Sequence, residues 1–204
     1  MEALVAAPSG DSGDAHVVRI GMPRSPQRPL LCLANLRTEP HAWHAAAEGK
    51  PTLTMKRYRQ LVRLVNSVLR ADPKPHYLLL PELSLPRQWV SSVVNRLLQS
   101  KISVIAGVEY EHVPGERVHN DALLALTDDR LGFDSSVLIW QHKSAPAPGE
   151  EEELLRLHHR GWSPASAPDK VRVYRHKDFD FGVLVCSELQ NVRYREAFRA
   201  RWTA

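Results

Sequence analysis

Two side chains that can carry out covalent chemistry follow apolar segments of this 204-residue sequence. Glu82 comes directly after the letters YLLLP, and Cys186 comes directly after FGVLV. If both segments are strands of one α/β sheet, their carboxyl ends border the crevice in which such folds bind ligands. The carboxylate would then accept the thiol proton as the sulfur attacks, which activates a weak nucleophile. The pattern favours a cysteine nucleophile with a glutamate base.

A third ionisable residue, Lys143, follows the apolar segment at residues 137–140. Its ammonium would lower the pKa of a neighbouring thiol and stabilise an oxyanion formed during attack. Each of the three residues also has an ordinary structural interpretation. Cys186 would be a small buried hydrophobe, Glu82 an acid at a helix start, and Lys143 a surface lysine. Cys32, within the letters LLCLANL, is predicted to be a core thiol.

The elements that must position these residues alternate between helical and strand patterns. From Thr54 onward, apolar residues recur at three- and four-residue steps until prolines at 73 and 75, which predicts an amphipathic helix. Further helices are predicted from Pro86 and over residues 190–201. Strands are predicted over residues 30–36, 77–80, 102–108, 122–126, 137–140, 171–174 and 181–185. Residues 38–52 are predicted to be a connection, and residues 144–169 a long loop with one helical turn near 151–157. This order indicates an α/β domain whose sheet carries helices.

Composition limits the class of protein. Hydrophobic residues make up 43% of the chain and charged residues 25%, which is typical of a globular domain. Residues 1–16 are small and polar, without the basic and apolar regions of a signal peptide, and are predicted to be a disordered leader before one domain at 17–204. No apolar run approaches the ~20 residues of a membrane span. Two cysteines without disulfide or metal spacing fit a reducing compartment, so a cytoplasmic protein is expected.

The charge and the histidines give weaker signals. The net charge is +4, and arginines cluster only near the C-terminus, at Arg193, Arg195, Arg199 and Arg201. A solvated helix face is favoured there over a phosphate-binding face. His41 and His44 can share a helical face, and His158 and His159 are adjacent, but neither pair has an evident third ligand. Neither a metal nor a cofactor is expected.

Four strings occur in the order that nitrilases, the carbon–nitrogen hydrolase superfamily, use: LLLPELSLP, GVEYEHVPGERVHNDALLAL, HKSAPAPGEE and FGVLVCSELQN. Over roughly residues 17–200 the sequence resembles that family. The resemblance implies that Glu82 is the general base, Lys143 stabilises the oxyanion and Cys186 is the nucleophile. It also implies an α/β fold of the αββα sandwich type. Because part of that fold follows the nucleophile in relatives, a domain lacking its C-terminal strands is expected.

The resemblance also implies supporting residues around the three. A second glutamate in the loop after Lys143 would orient water or hold the lysine, and by spacing Glu151 is the first choice and Glu150 the next. The other implied supporting positions are Glu109, Asn120, Ser187 and Glu188. Some positions depart from the family, since Glu188 stands where an aspartate is common and Ser144 follows the lysine in place of histidine.

The implied activity is hydrolysis of a small-molecule amide or nitrile through a cysteine thioester, without a metal. The departures resemble the nitrilase-like domains attached to bacterial reverse transcriptases in phage defence. The alternative is therefore a weakly active or inactive module that acts through a protein partner or nucleic acid within a larger defence protein. The expected assembly is a homodimer or a larger polypeptide, with weak turnover of the isolated chain.

Overall fold

The structure, a computed structural model, describes residues 15–22, 28–165 and 171–202 and is a mixed α/β fold. Its strands are β1 Ala15–Ile20, β2 Leu31–Leu33, β3 Tyr77–Leu85, β4 Ser103–Val108, β5 Glu111–Val113, β6 Arg117–His119, β7 Asp121–Asp128, β8 Ser135–His142, β9 Gly161–Trp162, β10 Val171–His176 and β11 Phe179–Gly182. Its helices are α1 Pro40–Ala47, α2 Met55–Arg70, α3 Val90–Leu98, α4 Glu150–His158 and α5 Val192–Trp202. Two 3-10 turns cover Arg87–Trp89 and Cys186–Gln190.

The central sheet has the order β2-β3-β4-β7-β8. Strands β2, β3 and β4 run parallel, whereas β7 and β8 pair antiparallel beside them. All eight residues of β7 are buried, because helices cover one face of the sheet and a second sheet covers the other. Leu123 points toward the helices α2 and α3, while its neighbour Leu124 points toward the second sheet. This alternation decides on which side each polar residue at the strand ends lies.

The second sheet has the order β1-β10-β11. Its inner face carries Tyr174 and Phe181, which pack with Tyr77 and Leu124 of the central sheet. Helix α5 lies against its other face, where a Cβ added at Gly182 would come within 2.0 Å of the ring of Phe198. Glycine is therefore needed at position 182 for this close contact.

A small third sheet, β5-β6-β9, packs with α1 and α4 beside the carboxyl end of β3. Its apolar contacts join Leu83, Tyr110 and Trp162 with alanines of α1 and Leu154 of α4. This cluster supports the loop that carries Lys143 and the start of α4.

Several sequence-based element predictions need correction. The predicted connection at 38–52 contains α1, and the predicted single turn after residue 150 is the nine-residue α4. The predicted strand at 181–185 ends at Gly182, because the next carbonyl, of Val183, accepts a hydrogen bond from the side chain of Gln141 instead of continuing the ladder. Most of the predicted leader, residues 1–14, lies outside the described residues, whereas Ala15 already belongs to β1.

The predicted strand at residues 30–36 is shorter in the structure, and more exposed than its apolar sequence suggests. Strand β2 covers only three residues and lies at the edge of the central sheet. Leu33 is 72% exposed, and Cys32 is half-buried against the core rather than enclosed by it. An edge strand has a neighbour on one side only, so an apolar sequence does not by itself make it a core strand.

The helices also bear on membrane insertion. Within the described ranges, none is long and apolar enough to cross a bilayer.

A candidate Glu-Lys-Cys site

Glu82 stands at a bulge in β3. The register with β4 shifts between Leu80 and Leu85, and Leu83 has a left-handed φ of 54°. Gly107 of β4 lies directly beneath the bulge, and a Cβ at that position would be 2.2 Å from the Glu82 Cα. A glycine is therefore required opposite Glu82, because no side chain fits between the two backbones.

Lys143 follows β8, and its backbone N–H donates to the carbonyl of Asn120 at 3.1 Å. Its side chain is 1% exposed, and its Nζ donates to Glu82 Oε1 at 3.0 Å and to Glu150 Oε2 at 2.7 Å. Burial alone would lower the pKa of Lys143, but the hydrogen bonds and charges of Glu150 and Glu82 outweigh burial and raise it. The lysine is therefore a buried cation between two carboxylates.

Cys186 begins a 3-10 turn with a left-handed φ of 50°, a conformation that non-glycine residues seldom adopt. Burial raises the pKa of its thiol, and a hydrogen bond with Glu82 and the charge of that carboxylate raise it further. The charge of Lys143 and the backbone N–H of Ser187 act in the opposite direction but are weaker. The lysine ammonium therefore lowers the thiol pKa as expected, but burial and Glu82 outweigh it, and the pKa is raised overall.

The second glutamate near Lys143 is Glu150 and not Glu151. Gly149, with a φ of 81°, turns the chain into α4 so that the first helical side chain points back toward the lysine. Glu150 also accepts hydrogen bonds from Tyr110 Oη at 2.6 Å and from the backbone N–H of Ala147 at 2.7 Å. Glu151, one helical position later, is exposed.

Asn120 and Glu109 both act on the segment around Glu82, in different ways. Asn120 Nδ2 donates directly to Glu82 Oε1 at 2.6 Å. Glu109 instead forms a buried ion pair with Arg57 at 2.5 Å, and Arg57 donates to the carbonyl of Ser84 at 3.2 Å. Burial raises the pKa of Glu109, while the hydrogen bond and charge of Arg57 partly offset this effect. Glu109 therefore supports the backbone after Glu82 through an arginine.

Glu188 links the cysteine turn to the lysine loop. Its buried carboxylate accepts from the backbone N–H of Val185 at 2.7 Å through one oxygen and from that of Ser144 at 2.5 Å through the other. Ser187, between Glu188 and Cys186, is half-buried and directs its backbone N–H toward the cysteine sulfur. The supporting positions predicted from the sequence thus gather around the three ionisable residues, with Glu151 as the exception.

A cleft of about 390 Å³ opens between the two larger sheets. Glu82 and Cys186 line it together with apolar side chains from both sheets, among them Leu79, Ile105 and Phe181. Lys143, which is almost fully buried, does not line it. A molecule in the cleft would therefore meet the thiol and the carboxylate first, against apolar walls.

The histidine pairs considered from the sequence are rearranged in the structure. His44 Nδ1 lies 3.0 Å from His158 Nε2, so the contact joins α1 to α4, while His41 is exposed. Sequence reasoning missed a different group, formed by His119, Asp121 and His142. The available signal was the His-x-Asp spacing at the start of β7, but the pairing of β7 with β8 is needed to bring His142 to it.

The basic cluster predicted near the C-terminus lies on α5. Arg193 and Arg195 are exposed there, which agrees with a solvated helix face.

Comparisons with known proteins do not place the chain in a family. No family model matches it, and no curated protein or solved structure gives a significant match. The chemistry of the site is therefore interpreted from its own contacts.

Proposed function

We propose that the protein is a carbon–nitrogen hydrolase of the nitrilase type, which cleaves an amide or nitrile through a thioester on Cys186. The proposal depends on one observation: Glu82 accepts a hydrogen bond from the Lys143 ammonium and lines the same cleft as Cys186, whose thiol pKa its carboxylate raises. A carboxylate close enough to a thiol to raise its pKa can serve as the general base that accepts its proton. The packing of α2 and α3, the two larger sheets and α5 supports an αββα arrangement.

For an amide, the first step forms a bond between the Cys186 sulfur and the carbonyl carbon. The thiol proton passes to Glu82 as the sulfur attacks, because the raised thiol pKa keeps that proton on the sulfur near neutral pH. The carbonyl oxygen becomes an oxyanion, which the Ser187 N–H and the positive charge of Lys143 stabilise. The base and the nucleophile therefore act in one concerted step rather than through a thiolate formed beforehand.

The second step breaks the carbon–nitrogen bond. Glu82 returns its proton to the nitrogen, which leaves as ammonia or an amine, and the acyl group remains on the sulfur as a thioester. Glu82 then accepts a proton from water as that water attacks the thioester carbon. When the carbon–sulfur bond breaks, the proton returns to the sulfur, the acid is released and Cys186 is restored.

The lysine and its two carboxylates hold this geometry. Lys143 and Asn120 both donate to Glu82 Oε1, so two donors hold the carboxylate at the cleft that Cys186 also lines. Glu150 accepts a second hydrogen bond from the Lys143 ammonium through Oε2 and accepts one from Tyr110 Oη through Oε1. A base restrained in this way needs little reorganisation during attack, which lowers the barrier.

The test is ammonia release from a panel of primary amides and nitriles with apolar acyl groups of increasing size, which the walls of the cleft favour. Under acid quench, intact-mass analysis is expected to show an acyl adduct, and peptide mapping is expected to place it on Cys186. The Cys186→Ala variant is expected to lose both signals, whereas Cys32→Ala, the matched thiol control, is expected to keep them.

Two results would oppose the proposal. Ammonia release by Cys186→Ala at the rate of the unmodified protein would remove the thiol from the mechanism. No release and no adduct across the whole panel would favour the alternative, an inactive nitrilase-like module.

A further inference from the structure

Three potential metal ligands meet on the sheet face opposite the Glu-Lys-Cys site. Asp121 lies on the same side of β7 as Leu123, which faces the helices, and His142 lies opposite Asp121 in the β7–β8 register. His119, at the end of β6, places its Nε2 3.6 Å from Asp121 Oδ1. The donor atoms of the three ligands all lie within 4.8 Å of one another. Asn120 precedes Asp121 and Lys143 follows His142, and the side chains of both point to the other side, where they donate to Glu82. The Lys143 backbone N–H donates to the Asn120 carbonyl.

The histidine nearest the core has an unused donor position. The His119 side chain is 7% exposed, and its Nε2 has no hydrogen-bond partner among residues 15–22, 28–165 and 171–202. That nitrogen faces two carboxylate oxygens, Asp121 Oδ1 at 3.6 Å and Glu111 Oε2 at 3.8 Å. In a tetrahedral zinc site with bonds of about 2.0–2.1 Å, neighbouring ligand atoms are about 3.3 Å apart. The observed separations are close to that spacing.

Arg87 binds a different oxygen of Asp121 from the one that faces the histidines. It contacts Asp121 through Oδ2, and Oδ1 of the same carboxylate faces both histidines. Arg87 also binds Glu111 at 2.9 Å and stacks on Trp140 at 4.9 Å from the ring centroid. With two carboxylates and one guanidinium, the cluster has a net charge of −1, which favours a divalent cation. The arginine orients Asp121 from outside the ligand group.

We propose that His119, Asp121 and His142 bind a divalent transition-metal ion of the Zn²⁺ type, and that Glu111 supplies the fourth ligand through the oxygen other than Oε2, which binds Arg87. Two imidazoles and carboxylate oxygens suit this class of ion. His142 now shares a hydrogen bond with Asp121 and must turn slightly away to admit the ion. Its side chain is 38% exposed, so the rotation meets no closely packed neighbour on the solvent side.

The ion would join three strands behind the Glu-Lys-Cys site. His119 ends β6, Asp121 begins β7 and His142 ends β8, so one metal would cross-link the strand ends that carry Asn120 and Lys143. This is a structural role, independent of the proposed hydrolysis, and no step of that reaction passes through the metal.

The test is metal titration of tag-free protein carrying Cys186→Ser, since that thiol is an alternative ligand. Co²⁺ serves as the probe for its visible d–d absorption, and Zn²⁺ is then added to displace it. The proposal predicts saturation at one ion per chain and a rise in thermal stability with metal concentration. His142→Ala, chosen because the residue is half-exposed, is expected to weaken binding by at least about 100-fold, since loss of a supporting contact alone costs 10–100-fold.

His44→Ala provides the matched control, because it removes one histidine of the His44–His158 contact elsewhere on the chain. It is expected to keep the affinity within about twofold. Binding that survives His142→Ala, or that disappears in His44→Ala, would overturn the assignment. An absence of saturable binding would also overturn it and would leave the cluster as a hydrogen-bond network. None of these outcomes depends on whether the protein hydrolyses amides.

Discussion

Glu188 accepts a hydrogen bond from the backbone N–H of Ser144 at 2.5 Å, and this contact couples two parts of the site that are 44 residues apart. Ser144 directly follows Lys143, and Glu188 lies two residues after Cys186. A shift of either loop would break the contact. The distance between lysine and thiol is therefore controlled by a buried carboxylate that the proposed chemistry does not use.

Replacing Glu188 tests this coupling. Glu188→Ala removes two charge-assisted acceptor contacts and is expected to lower the free energy of unfolding by about 2–4 kcal/mol, measured by urea denaturation. Glu188→Gln keeps one oxygen acceptor and is expected to recover part of the loss. Glu196→Ala, an exposed glutamate of α5, is the control and should change stability by less than about 0.5 kcal/mol. Equal effects of Glu188→Ala and Glu196→Ala would contradict the coupling.

Gly107→Ala tests the close approach beneath Glu82. The added methyl group would be 2.2 Å from the Glu82 Cα, so the bulge must move, and a loss of about 1–3 kcal/mol in unfolding free energy is expected. Hydrolysis should fall as well, although no ionisable group has changed. The control is Gly161→Ala, whose Cβ would meet its nearest atom, of Arg117, at an ordinary 3.5 Å. Full activity in Gly107→Ala would show that the position of Glu82 tolerates this shift.

The two neighbouring glutamates of α4 make a matched pair. Glu150→Gln removes one of the two negative charges beside buried Lys143 and is expected to lower the free energy of unfolding by about 1–3 kcal/mol. Glu151→Gln, with the same chemical change on an exposed side chain, is expected to alter it by less than about 0.5 kcal/mol. Thermal and urea denaturation measure both. A larger loss of unfolding free energy in Glu151→Gln than in Glu150→Gln would mean that Glu151, and not Glu150, faces Lys143.

The pH dependence of cysteine alkylation tests the electrostatics of the thiol. Because the pKa of Cys186 is raised, its alkylation by iodoacetamide should reach half of its maximal rate above the ordinary thiol value of about 8.5. Glu82→Gln removes the carboxylate charge that raises the pKa, so the midpoint should move to lower pH. Lys143→Met removes a charge that lowers the pKa, so the midpoint should move to higher pH.

Glu82→Gln thus has two opposite consequences. Alkylation near neutral pH should become faster, while hydrolysis should become about 10²–10⁴-fold slower because the general base is gone. Peptide mapping identifies the labelled thiol, and half-buried Cys32 should react more slowly in both proteins at high pH. A midpoint for Cys186 below pH 8 in the unmodified protein would mean that the charge of Lys143, rather than burial and Glu82, dominates the pKa of the thiol.

Local sequence pattern alone determined much of the fold. Apolar periodicity predicts the helix that begins after Thr54, and in the structure the Thr54 side chain caps it by accepting from the Arg57 N–H. Glu82, Lys143 and Cys186 are also predicted to come together, and they do, although Glu82 lies within β3 and Cys186 comes from the second sheet rather than from a strand end of the same sheet. Such features depend on periodicity and on neighbours in sequence, which one chain displays directly.

Tertiary structure alone decided the features that depend on contacts between distant segments. The choice of Glu150 over Glu151 follows from the rotation of α4 after Gly149, and the raised pKa of Cys186 follows from burial and the carboxylate outweighing a nearby ammonium. The group of His119, Asp121 and His142 exists because β7 pairs with β8 in one register. A shift of that register by one residue would turn His142 to the other face. Register, helix rotation and burial are set by packing among remote residues, and the order of the residues along the chain does not contain them explicitly.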